Sequence, residues 1–176
     1  MTRYAELLEG RALADGWVVG KLIARSPTQT GGRYSASYSV ANVDGRKGFL
    51  KAIDLSSAFG APDPTAALQP LIEAYNFERN LLFECEARRM DRVVLPLAHG
   101  TEFVDPAQPI SRVPYIIFER GDGDIRAHLV HLGTVEVAWA LRALHHVAVG
   151  IWQLHAADVA GAVQLTELEI GRFINN

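Results

Sequence analysis

The sequence predicts an α+β fold: an antiparallel sheet with one packed helix, followed by further helices. Three observations predict it. Residues 34–43 alternate with period two and run into a hairpin signal, Asp44-Gly45. Residues 68–91 switch to the three- and four-residue spacing of a helix. A glycine-containing joint at 120–124 then precedes a long helical pattern.

The elements follow in order. GWVVGKLIA (16–24) is an apolar run opened by Gly16 and reads as a strand. The polar loop RSPTQTGGR follows it. In YSASYSVANV (34–43), Tyr34, Ala36, Tyr38 and Val40 fall on one face and Ser35, Ser37 and Ser39 on the other. Asp44-Gly45 turns the chain back into a strand over 46–54, which completes a three-stranded meander. Residues 56–66 read as a loop with two prolines. The helix over 68–91 places Leu71, Ala74, Tyr75, Leu81, Leu82 and Cys85 on one stripe. Strands are expected at 93–100 and 113–119, on either side of a turn-rich excursion. A short helix is expected over 125–131. Thr134 is placed to cap a long helix running to about 157, with Val137, Leu141, Leu144, Val147, Ile151 and Leu154 inward.

Composition narrows the classes. With 176 residues and 49% hydrophobic content, the chain suffices for one sizeable core. Charged residues make up 21% and the formal net charge is -3, so no basic excess points to nucleic acid. A single cysteine, Cys85, excludes an internal disulfide framework and points to a reducing compartment. The N-terminal MTRYAELLEGR has no apolar h-region, and no run approaches a membrane span, so a cytoplasmic protein is expected. No metal site is expected: His145 and His146 are adjacent and point about 100° apart on a helix. His128 and His131 lie one turn apart without a carboxylate or thiolate to complete a set.

One charge stands out. Lys51 lies within the apolar stretch GFLKAID, where an ammonium needs a partner. Glu78 lies on the buried stripe of the helix, where a carboxylate needs a cation. The two are expected to pair, with Lys51 open to phosphate oxygens. Glu84 and Glu86 are rival carboxylates with arginines near them on the helix.

A strand lysine paired to a helix glutamate, downstream of a glycine loop, is how protein kinases hold nucleotide phosphates. Over residues 16–160 the chain resembles that family, with bacterial serine/threonine protein kinases the nearest fit. TGGRYSASYSV is similar to the glycine-rich loop and its following strand, with Gly31 and Gly32 in the loop and Tyr34 as the aromatic at its tip. Thr30 and Ser35 stand where the first and third glycines are expected. FLKAI resembles the third-strand lysine motif, with Phe49 where a small residue usually lies against adenine. YIIFERGDGD resembles the gatekeeper and hinge. The resemblance implies Phe118 as gatekeeper, with the Glu119 carbonyl and the Gly121 N–H facing the adenine edge. Asp124 has two readings, a ribose contact and a helix cap. The implied cofactor is ATP, with Mg²⁺ only where a complete C-terminal lobe holds it.

On this reading 1–120 is a nucleotide-binding N-lobe, 121–160 is the hinge and first C-lobe helices, and 161–176 is a tail unlike the catalytic loop. The resemblance stops there. Gly161, Ala162 and Val163 stand where His-x-Asp is expected, and no Asp-Phe-Gly follows. No catalytic residue is assigned. A truncated frame and a degenerate kinase kept as a binding module both fit. The expected function is an ATP-binding lobe without phosphotransfer by itself. The alternatives are a non-catalytic interaction module and a small-molecule kinase of the aminoglycoside phosphotransferase type. The expected partner is an adenine nucleotide, and exposed apolar surface on 137–154 is expected to favour self-association.

Overall fold

The hairpin shows why the sheet forms where it does. Asn42 organises the turn: its side-chain oxygen accepts the N–H groups of Asp44 (3.1 Å) and Arg46 (2.8 Å), and its carbonyl accepts that of Gly45 (3.0 Å). Gly45 takes a φ of 79°, which favours glycine. In this computed structural model, residues 2–24, 34–121, 129–131 and 133–156 are described. The strands are β1 (Trp17–Leu22), β2 (Ser35–Asn42), β3 (Lys47–Ile53), β4 (Pro96–Phe103) and β5 (Arg112–Glu119). The helices are α1 (Ser56–Phe59), α2 (Pro64–Ala87) and α3 (Val137–Ala156). All neighbouring strands pair antiparallel, in the order β1-β2-β3-β5-β4. The fold is therefore α+β. The described residues fall into two compact units. One holds the residues up to Asn80 with Pro96–Glu119, and the other holds Leu81–Leu95 with the residues from Arg120 onward.

Several boundaries differ from the sequence reading. The segment 56–66 is not all loop. Asp54 accepts the Ser56 N–H and hydroxyl and starts α1, and α2 begins at Pro64. Asp63 caps α2, its carboxylate accepting the Ala66 N–H at 3.0 Å, and Pro64 takes the first helical position, where its missing donor costs nothing. Pro70 remains inside the helix. The strand expected at 93–100 is β4, shifted three residues along to begin at Pro96. Thr134 does not cap α3. The first helical bond runs from the Ala140 N–H to the Glu136 carbonyl, two residues beyond Thr134. The expected inner stripe of α3 is buried only at its C-terminal end. Leu154 is 4% exposed, while Val137, Leu141 and Leu144 are 74%, 61% and 64% exposed. Residues 129–131 are helical; the remainder of the helix expected over 125–131 lies outside the described residues.

The sheet of the first unit is two-faced. Val19, Ala36, Tyr38, Val40, Leu50, Ala52, Val113, Tyr115 and Ile117 form its apolar face. That face is covered by the N-terminal segment, through Ala5, Leu8 and Leu13, which no periodicity marked. The segment also lies along the outer edge of β1, where the Gly10 N–H donates to the Val19 carbonyl (2.9 Å) and the Val19 N–H to the Arg11 carbonyl (2.9 Å). The edge is thereby closed. Tyr38 joins strap to sheet: its buried hydroxyl donates to the Ala5 carbonyl at 2.8 Å and accepts the Leu8 N–H at 3.3 Å. Arg3 donates to Asp54 at 2.7 Å and also pairs with Glu6. Arg11 donates to Glu102 and to the carbonyls of Phe103 and Val104.

Two consequences are testable. Tyr38→Phe leaves the Ala5 carbonyl and the Leu8 N–H unpaired in the core, and is expected to cost about 1–3 kcal/mol in urea unfolding. An unchanged midpoint would mean that apolar contact alone holds the strap. The second concerns acid. Burial acts to raise the Asp54 carboxyl, but hydrogen bonds from Ser56 and Arg3 outweigh it and hold it below the usual carboxylate range. Its stabilisation is complete above the unfolded value of about 3.9 and is lost as pH falls through the lower folded value. Asp54→Asn is expected to be less stable at neutral pH by about 1 kcal/mol, with the gap closing in acid. Unfolding curves from about pH 7 to about pH 2 check this, and a gap that does not change with pH would contradict it.

Candidate functional site

β3 must present alternate side chains to opposite faces. Leu50 and Ala52, both fully buried, enter the apolar face. Phe49 and Lys51 therefore share the other. The register places Ser37 opposite Lys51 and Ser39 opposite Phe49 on β2, and Ile116 opposite Lys51 and Phe118 opposite Phe49 on β5. Directly opposed residues project from the same face. The Lys51 face thus carries two serines on one side and an apolar pair on the other. On β1, a side chain at Gly20 would meet the Ser39 oxygen at 2.7 Å, so the two strands approach closely here.

α2 supplies the counter-charge. Lys51 Nζ donates to both carboxylate oxygens of Glu78, each at 2.9 Å. The side chains are 20% and 28% exposed, so the pair is half-buried and open on one side. Nζ has three donors and Glu78 engages it with two oxygens, which leaves capacity for a further acceptor. Tyr75, one turn earlier on α2, donates toward the Gly100 and Tyr115 carbonyls at 3.4 Å. Those contacts set the helix against β4 and β5 within the first unit. The rival Glu84 pairs with Arg88 instead.

The α2 stripe holds with one exception. Tyr75, Leu81, Leu82 and Cys85 are buried and Leu71 is half-buried, but Ala74 is exposed. Burial raises the Cys85 thiol, which is a poor condition for a nucleophile. Arg79 lies over the Tyr75 ring, 5.7 Å from its centre.

The remaining predicted residues are placed as follows. Tyr34 is 46% exposed, just before β2. Ser35 is the first residue of β2, pairs in register with Ile53 and is 6% exposed. The Ile23 N–H donates to the Ser37 carbonyl (2.8 Å) and the Asp54 N–H to the Tyr34 carbonyl (2.7 Å). Gly31, Gly32 and Asp124 lie outside the described residues. Phe118 is 9% exposed, and its ring meets that of Phe49 at 6.3 Å between centres, tilted by 52°. Glu119 ends β5, its carboxylate 3.4 Å from Arg46. Gly121 is exposed. The structure thus brings together Lys51, Glu78 and Phe118, and adds Ser37, Ser39 and Phe49. The alternation of β2 held the signal for the serines, but it did not say which face would receive them. Among the described residues, no group of three or more His, Cys, Asp or Glu side chains is placed to hold a metal, and no helix is long and apolar enough to cross a membrane.

Comparison with protein-family models found no matching family, and comparison with curated proteins found no match.

The ion pair makes a measurable claim. Glu78→Ala leaves the Lys51 ammonium half-buried without its counter-charge. Because both groups retain solvent contact, the expected cost is about 1 kcal/mol. A double-mutant cycle with Lys51→Met, followed by urea unfolding, isolates the pair. Its coupling should shrink in about 1 M salt. A coupling of zero at low salt would mean that the contact contributes nothing to folding.

Proposed function

We propose that this chain is a protein-kinase-like nucleotide-binding lobe, which holds the phosphates of a nucleoside triphosphate such as ATP and does not transfer phosphate by itself. The observation that carries the reading is the Lys51–Glu78 pair, bidentate at 2.9 Å and open to solvent on one side. Lys51 is on the third strand and Glu78 on the long helix that follows it. Kinases use a third-strand lysine and a helix glutamate in that relation to hold phosphates. In the sequence, Gly31 and Gly32 fall between the residues of β1 and those of β2, which supports the same reading.

Phosphoryl transfer needs more than a held nucleotide. It needs metal bridging the phosphates and a carboxylate to accept the acceptor's proton. The sequence contains neither His-x-Asp nor Asp-Phe-Gly. The proposal therefore assigns binding and no chemistry. A second reading, a protein-interaction module, draws support from the exposure of Val137, Leu141, Leu144 and Trp152 on α3.

Thermal unfolding separates the two. ATP with Mg²⁺, in about hundredfold excess over Kd, is expected to raise Tm by about 5 °C or more. Lys51→Ala should remove the shift. No label from ATP should reach a generic protein acceptor. Absence of any Lys51-dependent shift would overturn the nucleotide reading and leave the interaction module. Label incorporation that vanishes with Lys51→Ala would overturn the non-catalytic part.

A further inference from the structure

The Lys51 face is asymmetric in its chemistry. Toward β2 it is polar: Ser37 stands opposite Lys51 and Ser39 opposite Phe49, both half-buried. Toward the end of β5 it is aromatic: Phe49 faces Phe118, the residue before Glu119. Phe49 lies two residues from Lys51, roughly 6.6 Å along the strand. If the phosphates of a nucleotide sit at Lys51 and its base reaches the Glu119 end, the Phe49 side chain stands in the base's path. Phe118 offers no alternative surface, since it is 9% exposed and its ring packs against Phe49. A flat base needs an apolar slot between side chains. Phe49, half-buried, projects from this face between Lys51 and the Glu119 end of β5.

Oxyanions meet the opposite situation. Lys51, Ser37 and Ser39 carry donors on one face, with Ser37 directly opposite Lys51 and Ser39 two residues further along β2, its Oγ beside Gly20 of β1. Hydrogen bonds from such donors to a charged acceptor are the stronger class.

We propose that this site recognises its ligand through the polyphosphate, held by Lys51, Ser37 and Ser39, and that Phe49 makes it indifferent to the base. The proposal rests on the nucleotide reading above and narrows its ligand class to triphosphates with or without a nucleoside. Calorimetry of the full chain with ATP, GTP and inorganic triphosphate, each with Mg²⁺, tests it. The three dissociation constants should agree within about threefold, because none of the affinity comes from the base. Lys51→Ala should weaken all three by about tenfold or more, and Ser37→Ala together with Ser39→Ala by a similar factor. Phe49→Ala, with Phe49→Val as the milder change, should tighten ATP by about tenfold while leaving inorganic triphosphate unchanged. If ATP binds the unaltered chain tenfold or more tightly than inorganic triphosphate, the base is read and this proposal falls, while the nucleotide reading stands. The same holds if Phe49→Ala weakens ATP, since Phe49 would then be stacking on the base. If no ligand binds in a Lys51-dependent way, both fall.

Discussion

A lysine at the centre of a five-stranded sheet must have its charge matched, and that requirement organises the first unit. β3 is paired on both sides, by β2 and β5, so Lys51 cannot escape at an edge. Its charge is answered by Glu78, from a helix that therefore has to lie against this face. The pair is only half-buried. A fully buried pair would carry a large desolvation penalty. Here both side chains keep some solvent exposure, so the contact orients α2 without that full penalty.

The opposite face has a different logic. Its apolar side chains come from β1, β2, β3 and β5, and α2 does not cover them. The N-terminal strap does, with Tyr38 tying it down from inside and Arg3 and Arg11 from the rim. Arg3 reaches Asp54, the residue after β3, so strap and lysine strand are linked three residues from Lys51. Asp54 also starts α1 through Ser56. One buried carboxylate thus joins the N-terminus, the end of β3 and the connection to α2.

The largest apolar cluster lies on the sheet face opposite Lys51. Apolar burial, which supplies most of the folding free energy, is concentrated away from it. The Lys51 side carries a charge pair and two hydroxyls beside buried apolar residues, Ile116 and Phe118.

Local pattern alone determined several features of this protein. The period-two run over 34–43 set which β2 residues share a face, and Asp44-Gly45 set the turn that pairs β2 with β3. Lys51 in an apolar strand and Glu78 on an apolar stripe were legible as a pair, because unmatched charge on a buried surface is costly whatever the fold. Other features waited on tertiary structure. Periodicity tells a residue's face but not what covers it, so the strap could not be read, whereas exposed apolar surface on α3 was expected and is found at Val137, Leu141 and Leu144. The prolines hid the start of α2, because Pro64 at the first helical position looks in sequence like any other helix breaker. Ser37 and Ser39 became a candidate phosphate surface only once strand register set them beside Lys51 and Phe49, for residues 37, 39, 49, 51 and 118 are brought to one face by cross-strand pairing, not by proximity along the chain.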